Sequence, residues 1–268
     1  MANGFPLLNC RAVITGASSG LGAEFARQLA PQADFLVLVA RRVDALEEVK
    51  RGLEGQRARV FCCVADLATD TGRESVMVFL DANGLKPNLL INNAGMGDYG
   101  SFESSSAEKT RAQIELNITA LTVLTHLLLP RLEKPAGVLN VSSLAGTLPM
   151  PNLAVYAASK AYVTSFSEAL AVELAPQGVT VTCVCPGPTP TNFSQTAKRA
   201  DGTDTNRDGQ ALLRIPPSQV VSEALKTLSD GGSCIYPGTG VSIASRVFRM
   251  MPRWLMRVLL RRRHAKES

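Results

Sequence analysis

The sequence predicts one α/β domain built on a doubly wound parallel sheet, followed by a basic amphipathic extension. Three observations carry this. Short, almost continuously apolar runs alternate with longer amphipathic ones. The first apolar run opens directly into a glycine-rich turn. The excess of positive charge lies in the last 28 residues.

The apolar runs are Ala12–Thr15, Phe35–Ala40, Arg59–Val64, Leu89–Ile91, Val138–Val141 and Thr180–Cys185. Such runs mark parallel strands covered on both faces. Between them, residues 20–30, 43–54, 70–82, 107–129 and 155–175 carry helical periodicity, so strands and helices alternate as a parallel sheet requires. A further helix is expected over 217–229, with Pro216–Pro217 as its start signal and Gly231–Gly232 as its stop. Residues 188–211 are rich in Thr, Asp, Asn and Gly without periodicity, the mark of a long functional loop. Nothing resembling a linker divides the chain. Residues 1–240 read as the domain and 241–268 as an extension that is not a domain of its own.

The composition fits this. Of 268 residues, 46% are hydrophobic and 19% charged, a globular balance. A chain of this length buries roughly three quarters of its unfolded surface and needs no staples. The net charge of +5 and pI near 9.0 suggest a polyanion partner, but the charge is divided. Residues 241–268 hold eight Arg or Lys and one acid, whereas residues 1–240 hold 20 basic and 22 acidic groups. This division argues against a general nucleic-acid-binding body. The six cysteines (Cys10, Cys62, Cys63, Cys183, Cys185 and Cys234) form no C-x-x-C pair and sit mostly in apolar runs, as buried reduced thiols do. No metal site is expected. The N-terminus shows no secretion signal, and no apolar run approaches the length of a membrane span. The N-x-S/T triplets at Asn117, Asn140 and Asn192 are therefore read as chance matches.

Strand 1 runs into Thr15-Gly16-Ala17-Ser18-Ser19-Gly20-Leu21-Gly22 and a helix follows at once. Small residues let a backbone approach a pyrophosphate, and free N–H groups at a helix start offer it positive potential. The spacing is G-x-x-x-G-x-G rather than the common G-x-G-x-x-G, and it suggests a Rossmann-type cofactor turn; a tight strand–helix turn without a ligand is the alternative. Strand 2 ends in Arg41-Arg42, where an NAD site usually carries an acid. Arg41, helped by Arg42 and Ser18, suggests the 2′-phosphate of NADP(H); two solvated surface arginines are the alternative. Ser142-Ser143 end strand 5, and Tyr156-Ala157-Ala158-Ser159-Lys160 begin the following helix. Tyr156 and Lys160 are i and i+4 and share a helix face. A neighbouring cation moves a phenol toward the pKa of a working acid or base, and Ser143 at a strand end is able to bond a carbonyl oxygen.

These residues together resemble the short-chain dehydrogenase/reductase family, in its single-domain branch of roughly 250 residues. The resemblance spans about residues 8–240. It rests on Thr15–Gly22, Asp66, Asn92-Asn93-Ala94-Gly95, Asn117, Ser143, Tyr156 with Lys160, and Pro186-Gly187 with Thr191. It implies that Tyr156 is the general acid or base, that Lys160 lowers its pKa and bonds the nicotinamide ribose, that Ser143 orients the carbonyl, and that Asn117 holds a relay water. It also implies cofactor contacts at Gly16, Ser18, Ser19, Gly20, Leu21, Gly22, Asp66, Leu67, Asn92, Ala94, Gly95, Pro186, Gly187, Thr189 and Thr191. The glycine turn lacks the basic residue common in NADP members, so cofactor preference rests on Arg41. Residues 241–268 fall outside the resemblance. On a helix, Arg246, Arg249, Arg253, Arg257 and Arg261 share one arc, with Val247, Phe248, Met251, Trp254, Leu255, Val258 and Leu259 beside them. Pro252 predicts a break into two helices. Such an element serves as a lid or subunit contact, as a membrane-surface helix, or as a dock for an acidic carrier protein.

The expected function is NADP(H)-dependent interconversion of an apolar ketone or aldehyde and its alcohol. The alternatives are 3-oxoacyl-thioester reduction, on acyl carrier protein or CoA, and an NADP(H)-binding sensor without chemistry. The resemblance further implies a homo-oligomer, dimer or tetramer. The chain is expected in the cytoplasm, with the inner face of a membrane as the place of any peripheral contact.

Overall fold

The structure is a computed structural model that describes residues 4–191, 193, 197 and 213–267, with side chains as far as residue 262. Among the described residues seven strands form one parallel sheet: β1 (Arg11–Thr15), β2 (Phe35–Ala40), β3 (Arg59–Val64), β4 (Leu89–Asn92), β5 (Ala136–Val141), β6 (Val179–Val184) and β7 (Cys234–Ile235). Their order is β3-β2-β1-β4-β5-β6-β7. The chain order reverses between β1 and β4, and doubly wound sheets bind ligands at that point. Six strands lie where the apolar runs place them. The two residues of β7 are too short to leave a pattern.

Alternation along the strands feeds two layers. Ala12, Ile14, Leu36, Leu38, Leu89 and Ile91 face the layer of α1 (Gly20–Leu29), with Phe25 and Leu29. Val13, Val37, Val39, Leu90 and Val138 face the other layer, with Leu80, Leu124 and Leu128. The remaining helices of the domain follow the predicted periods: α2 (Val43–Arg51), α3 (Asp70–Ala82), α4 (Ala107–Ile114), α5 (Leu121–Leu128), α6 (Ala154–Leu174) and α7 (Pro217–Ser229). The predicted helix over 107–129 is not uniform, because a π-helical stretch, Glu115–Ala120, joins α4 to α5.

By length and composition, Ala107–Arg131 is apolar enough to cross a bilayer, which corrects the expectation that no segment reaches that measure. It is a layer helix here, with Asn117, Ala120, Leu121, Leu124 and Leu128 buried against the domain. Asn117 and Asn140 are buried, as befits chance glycosylation triplets. Asn192 and nearly all of the 188–211 loop beyond Thr191 lie outside the described residues. The extension forms α8 (Thr239–Met250) and α9 (Arg253–Glu267), separated at the predicted proline.

Candidate active site

The turn after β1 sits at the switch point, laced to the end of β4. The Thr15 hydroxyl accepts from the backbone N–H groups of Asn93 and Ala94 at 2.9 and 3.0 Å. The Asn93 amide donates back to the carbonyls of Thr15 and Gly16 at 2.9 and 3.2 Å. Glycine is required where this lacing is tightest. Gly16 has φ +64°, and a Cβ on Gly22 would stand 2.3 Å from the Gly16 oxygen. Ser19 precedes α1 in extended conformation without capping the helix with its side chain, so the first-turn amides remain for an anion. This is a cradle that fits a dinucleotide pyrophosphate.

Ala17 N–H donates to Val39 O at 3.3 Å, which sets the turn beside the end of β2. Arg41 and Arg42 follow there, both exposed. Ala65 N–H donates to Ala40 O, bringing the end of β3 alongside. Asp66 is exposed and accepts from Ala68 N–H, whereas Leu67 is buried in the second layer. Asn92 differs from its neighbours. Its side chain is inside, donating to Thr125 Oγ1 at 2.8 Å and Asn140 Oδ1 at 2.9 Å.

Four further residues meet at the carboxyl ends of β4 and β5. The two serines after β5 separate clearly. Ser142 Oγ is buried and donates to Lys160 O at 2.7 Å, tying the strand to α6. Ser143 Oγ accepts from Ala145 N–H at 3.1 Å and is hydrogen-bonded to Tyr156. Lys160 rises from the next turn of α6, with Nζ donating to Val141 O at 2.8 Å and lying 5.8 Å from the Tyr156 ring centre. The π-helical stretch aims Asn117 at the same place; π-turns inside helices often mark functional sites. Asn117 Oδ1 accepts from Met96 N–H at 2.9 Å, and Nδ2 donates to Met96 O at 2.9 Å and Ser159 Oγ at 3.0 Å. A Cβ on Gly95 would lie 3.2 Å from Asn117 Oδ1 and 3.4 Å from Lys160 Nζ, so Gly95 keeps the floor open between them.

The electrostatics follow from burial. Desolvation pushes the Tyr156 phenol well above its ordinary value, the Ser143 hydrogen bond pulling the other way. Desolvation brings the Lys160 ammonium down to about 8, opposed by the Cys183 and Cys185 sulfurs. At neutral pH the pair is a protonated phenol beside a cation, an arrangement able to donate a proton to an oxygen.

On the opposite wall, Leu144 N–H donates to Pro186 O and Thr189 Oγ1 donates to Gly187 O. Val241 of α8 presses on Gly187, where a Cβ would stand 2.7 Å from its methyl. Thr191 leans over Gly20, with 3.3 Å between its Cβ and a Cβ built there. Asn93, within the Asn92–Gly95 motif, ties the turn together. Sequence reasoning missed two residues here. Ser159, one position before Lys160, holds Asn117. Phe193 lies tilted on Tyr156 with ring centres 5.5 Å apart, and nothing in a polar loop signals it.

Residues 11–202 match the short chain dehydrogenase family. The very-long-chain 3-oxoacyl-CoA reductase of Kluyveromyces lactis is 36% identical over 183 residues, 65% of this chain and 53% of that protein. This chain thus spans about half the length of that relative. The protein of the same name from Rattus norvegicus is 32% identical over 257 residues, 93% of this chain and 78% of its own. A short-chain dehydrogenase from Sphingobium yanoikuyae, solved in complex with NADPH, shares the fold at a TM-score of 0.76 and 29% identity, over 91% of this chain and 94% of that one.

Proposed function

The chain belongs to the short-chain dehydrogenase/reductase family, and from that premise we propose that it reduces an apolar ketone or aldehyde at the expense of NADPH, with Tyr156 as the acid. The observation that carries this reading is the convergence of Tyr156, Ser143, Lys160 and Asn117 beside a cradle that fits a dinucleotide.

The bound nicotinamide supplies hydride to the carbonyl carbon. The chain's own residues do the rest. Gly16, Gly20 and Gly22, with the free amides at Ser18 to Leu21, seat the pyrophosphate. Asp66, Leu67, Ala94 and Gly95 flank the adenosine, and Pro186, Gly187, Thr189 and Thr191 the nicotinamide. Asn92 supports this wall from within rather than by touching cofactor. Arg41 and Arg42, exposed where an acid would select NAD, face the 2′-phosphate. Ser143 and Tyr156 bond the carbonyl oxygen from two sides, and Tyr156 delivers its proton as charge develops there. Lys160 holds positive charge against the phenolate and bonds the ribose. Both amide hydrogens of Asn117 are already used, so a relay water takes its bond from the main-chain carbonyl. A phenol kept protonated by burial is in the state that reduction requires. The Phe193 ring offers an apolar wall to the substrate.

The deciding experiment is incubation with NADPH deuterated at C4 and a panel of apolar ketones and aldehydes. Deuterium appearing on the carbinol carbon of a product supports the reading; NADPH binding without transfer to any carbonyl supports the sensor without chemistry. A second reading, reduction of a 3-oxoacyl thioester, is supported by the names of the two relatives and by the exposed arginines of the extension, which suit a phosphate-bearing carrier.

The extension supports a contact with an anionic membrane surface. Ile243, Val247, Met250, Trp254 and Val258 form an exposed apolar stripe. Arg246, Arg249, Arg253 and Arg257 are exposed beside it, and among the described residues no acid pairs with them. Apolar side chains between cations match the headgroup boundary. The inner side of α8, with Val241 and Ser245, is the part that covers the domain.

A further inference from the structure

Three cysteines that the proposed reaction does not use come together behind Lys160. Cys183 on β6 and Cys185 just beyond it are two residues apart, so their side chains leave the same face. The parallel register sets Cys234 of β7 opposite Cys183. The three sulfurs lie within 4.8 Å of one another, and those of Cys183 and Cys185 are 3.7 Å apart. Two hydroxyls border the cluster. Thr164 Oγ1 is 3.7 Å from the Cys185 sulfur and 4.0 Å from that of Cys183, and Tyr236 is hydrogen-bonded to Cys185. Cys183 and Cys185 are wholly buried, while Cys234 is partly exposed and gives the way in.

A cation bound tetrahedrally by thiolates at about 2.3 Å keeps its sulfurs about 3.8 Å apart. One pair is already at that separation, and the third sulfur needs to move in by at most about 1 Å. Three soft donors and two neutral hydroxyls select a thiophilic d10 cation over magnesium, calcium or manganese, and the nearby charge of Glu168 at Cys234 attracts a cation in the same favourable sense.

We propose that Cys183, Cys185 and Cys234 bind one thiophilic cation of the zinc, cadmium, mercury or cuprous class, and that filling this site inhibits the enzyme. On binding, each thiol that coordinates gives its proton to solvent as its sulfur–metal bond forms, and no electron moves. Inhibition follows from shared supports. Thr164 also bonds Ser142 Oγ at 2.8 Å and Lys160 O at 3.0 Å. Drawing the sulfurs inward therefore pulls on the seat of Lys160 and on the strand end that carries Ser143.

The test is a titration of the full chain with Cd²⁺, read by sulfur-to-cadmium charge-transfer absorption, which needs no substrate. The expected result is saturation at one equivalent. Cys234→Ser, at the accessible position, weakens binding at least about 100-fold, each lost tenfold being about 1.4 kcal/mol. Cys62→Ser, on a different strand, leaves binding unchanged. With a ketone in hand, NADPH turnover falls along the same titration in the parent chain and resists Cd²⁺ in Cys234→Ser. No band at one equivalent, a band that survives in Cys234→Ser, or inhibition equal in both chains overturns the proposal.

Discussion

Asn92, Asn140 and Ser167 lie inside the domain at 3% exposure or less, yet all are hydrogen-bonded to one another or to Thr125. Met250 and Trp254 of the C-terminal helices are apolar, yet stand 84% and 67% exposed. These three polar groups are accepted inside because each has a partner, since a buried unpaired group costs about 1–3 kcal/mol. The extension leaves apolar groups in water, and isolated exposed hydrophobes are ordinary, but a stripe flanked by cations supports the proposed interaction surface. The difference separates a satisfied interior from an unsatisfied surface in one chain. Rigidity holds the reacting groups, and exposure is what the proposed membrane contact would use.

Breaking the rigid side gives the largest effects. Gly22→Val, with its side chain driven against Gly16 O and Asn93, abolishes NADPH binding, measured by fluorescence titration. Next, Lys160→Met lowers reductive turnover at pH 7 by about 100-fold. Its pH dependence has a definite sign. The folded value of about 8 lies below the ordinary 10.5, so burial penalises the ammonium. That penalty is present below pH 8 and disappears as pH rises from about 8 to 10.5. The catalytic charge is lost over the same rise, so kcat/KM for reduction falls above about pH 8, and Lys160→Met lacks that limb. Asn140→Ala leaves Asn92 and Ser167 short of partners and destabilises the fold by about 1–3 kcal/mol in urea unfolding.

The exposed side gives smaller or more selective effects. Arg41→Ala removes about 1.5–3 kcal/mol of charge-assisted bonding, so NADPH binding weakens about 10- to 100-fold while NADH binding barely changes. Equal losses would remove the 2′-phosphate role. The double variant Met250→Asp, Trp254→Asp changes stability by no more than about 0.5 kcal/mol, as surface substitutions do. It abolishes co-sedimentation with phosphatidylserine vesicles. Unchanged sedimentation removes the membrane role, and a fall in molar mass by light scattering assigns the stripe to a second copy of the chain.

The same division decides how much was legible. Strand runs, the glycine turn and the Tyr156–Lys160 spacing are local patterns, and each stands where its period or spacing puts it. The break at Pro252 was legible for the same reason. What escaped depends on which strands become neighbours. Asn92 shares a motif with Ala94 and Gly95, but its side chain turns inward because β5 brings Asn140 opposite it. The thiol cluster escaped because Cys234 is far along the chain and joins Cys183 through a strand of two residues. The π-helical stretch at Asn117 escaped because its apolar period continues through it.

The most direct measurement compares Tyr156→Phe with the parent chain for NADPH binding and for deuteride transfer to a ketone. The phenyl ring keeps the packing on Phe193 and removes only the acid. NADPH binding should remain within about twofold while transfer falls by at least about 100-fold. Transfer at the parent rate would contradict Tyr156 as the proton donor, and with it the proposed reaction.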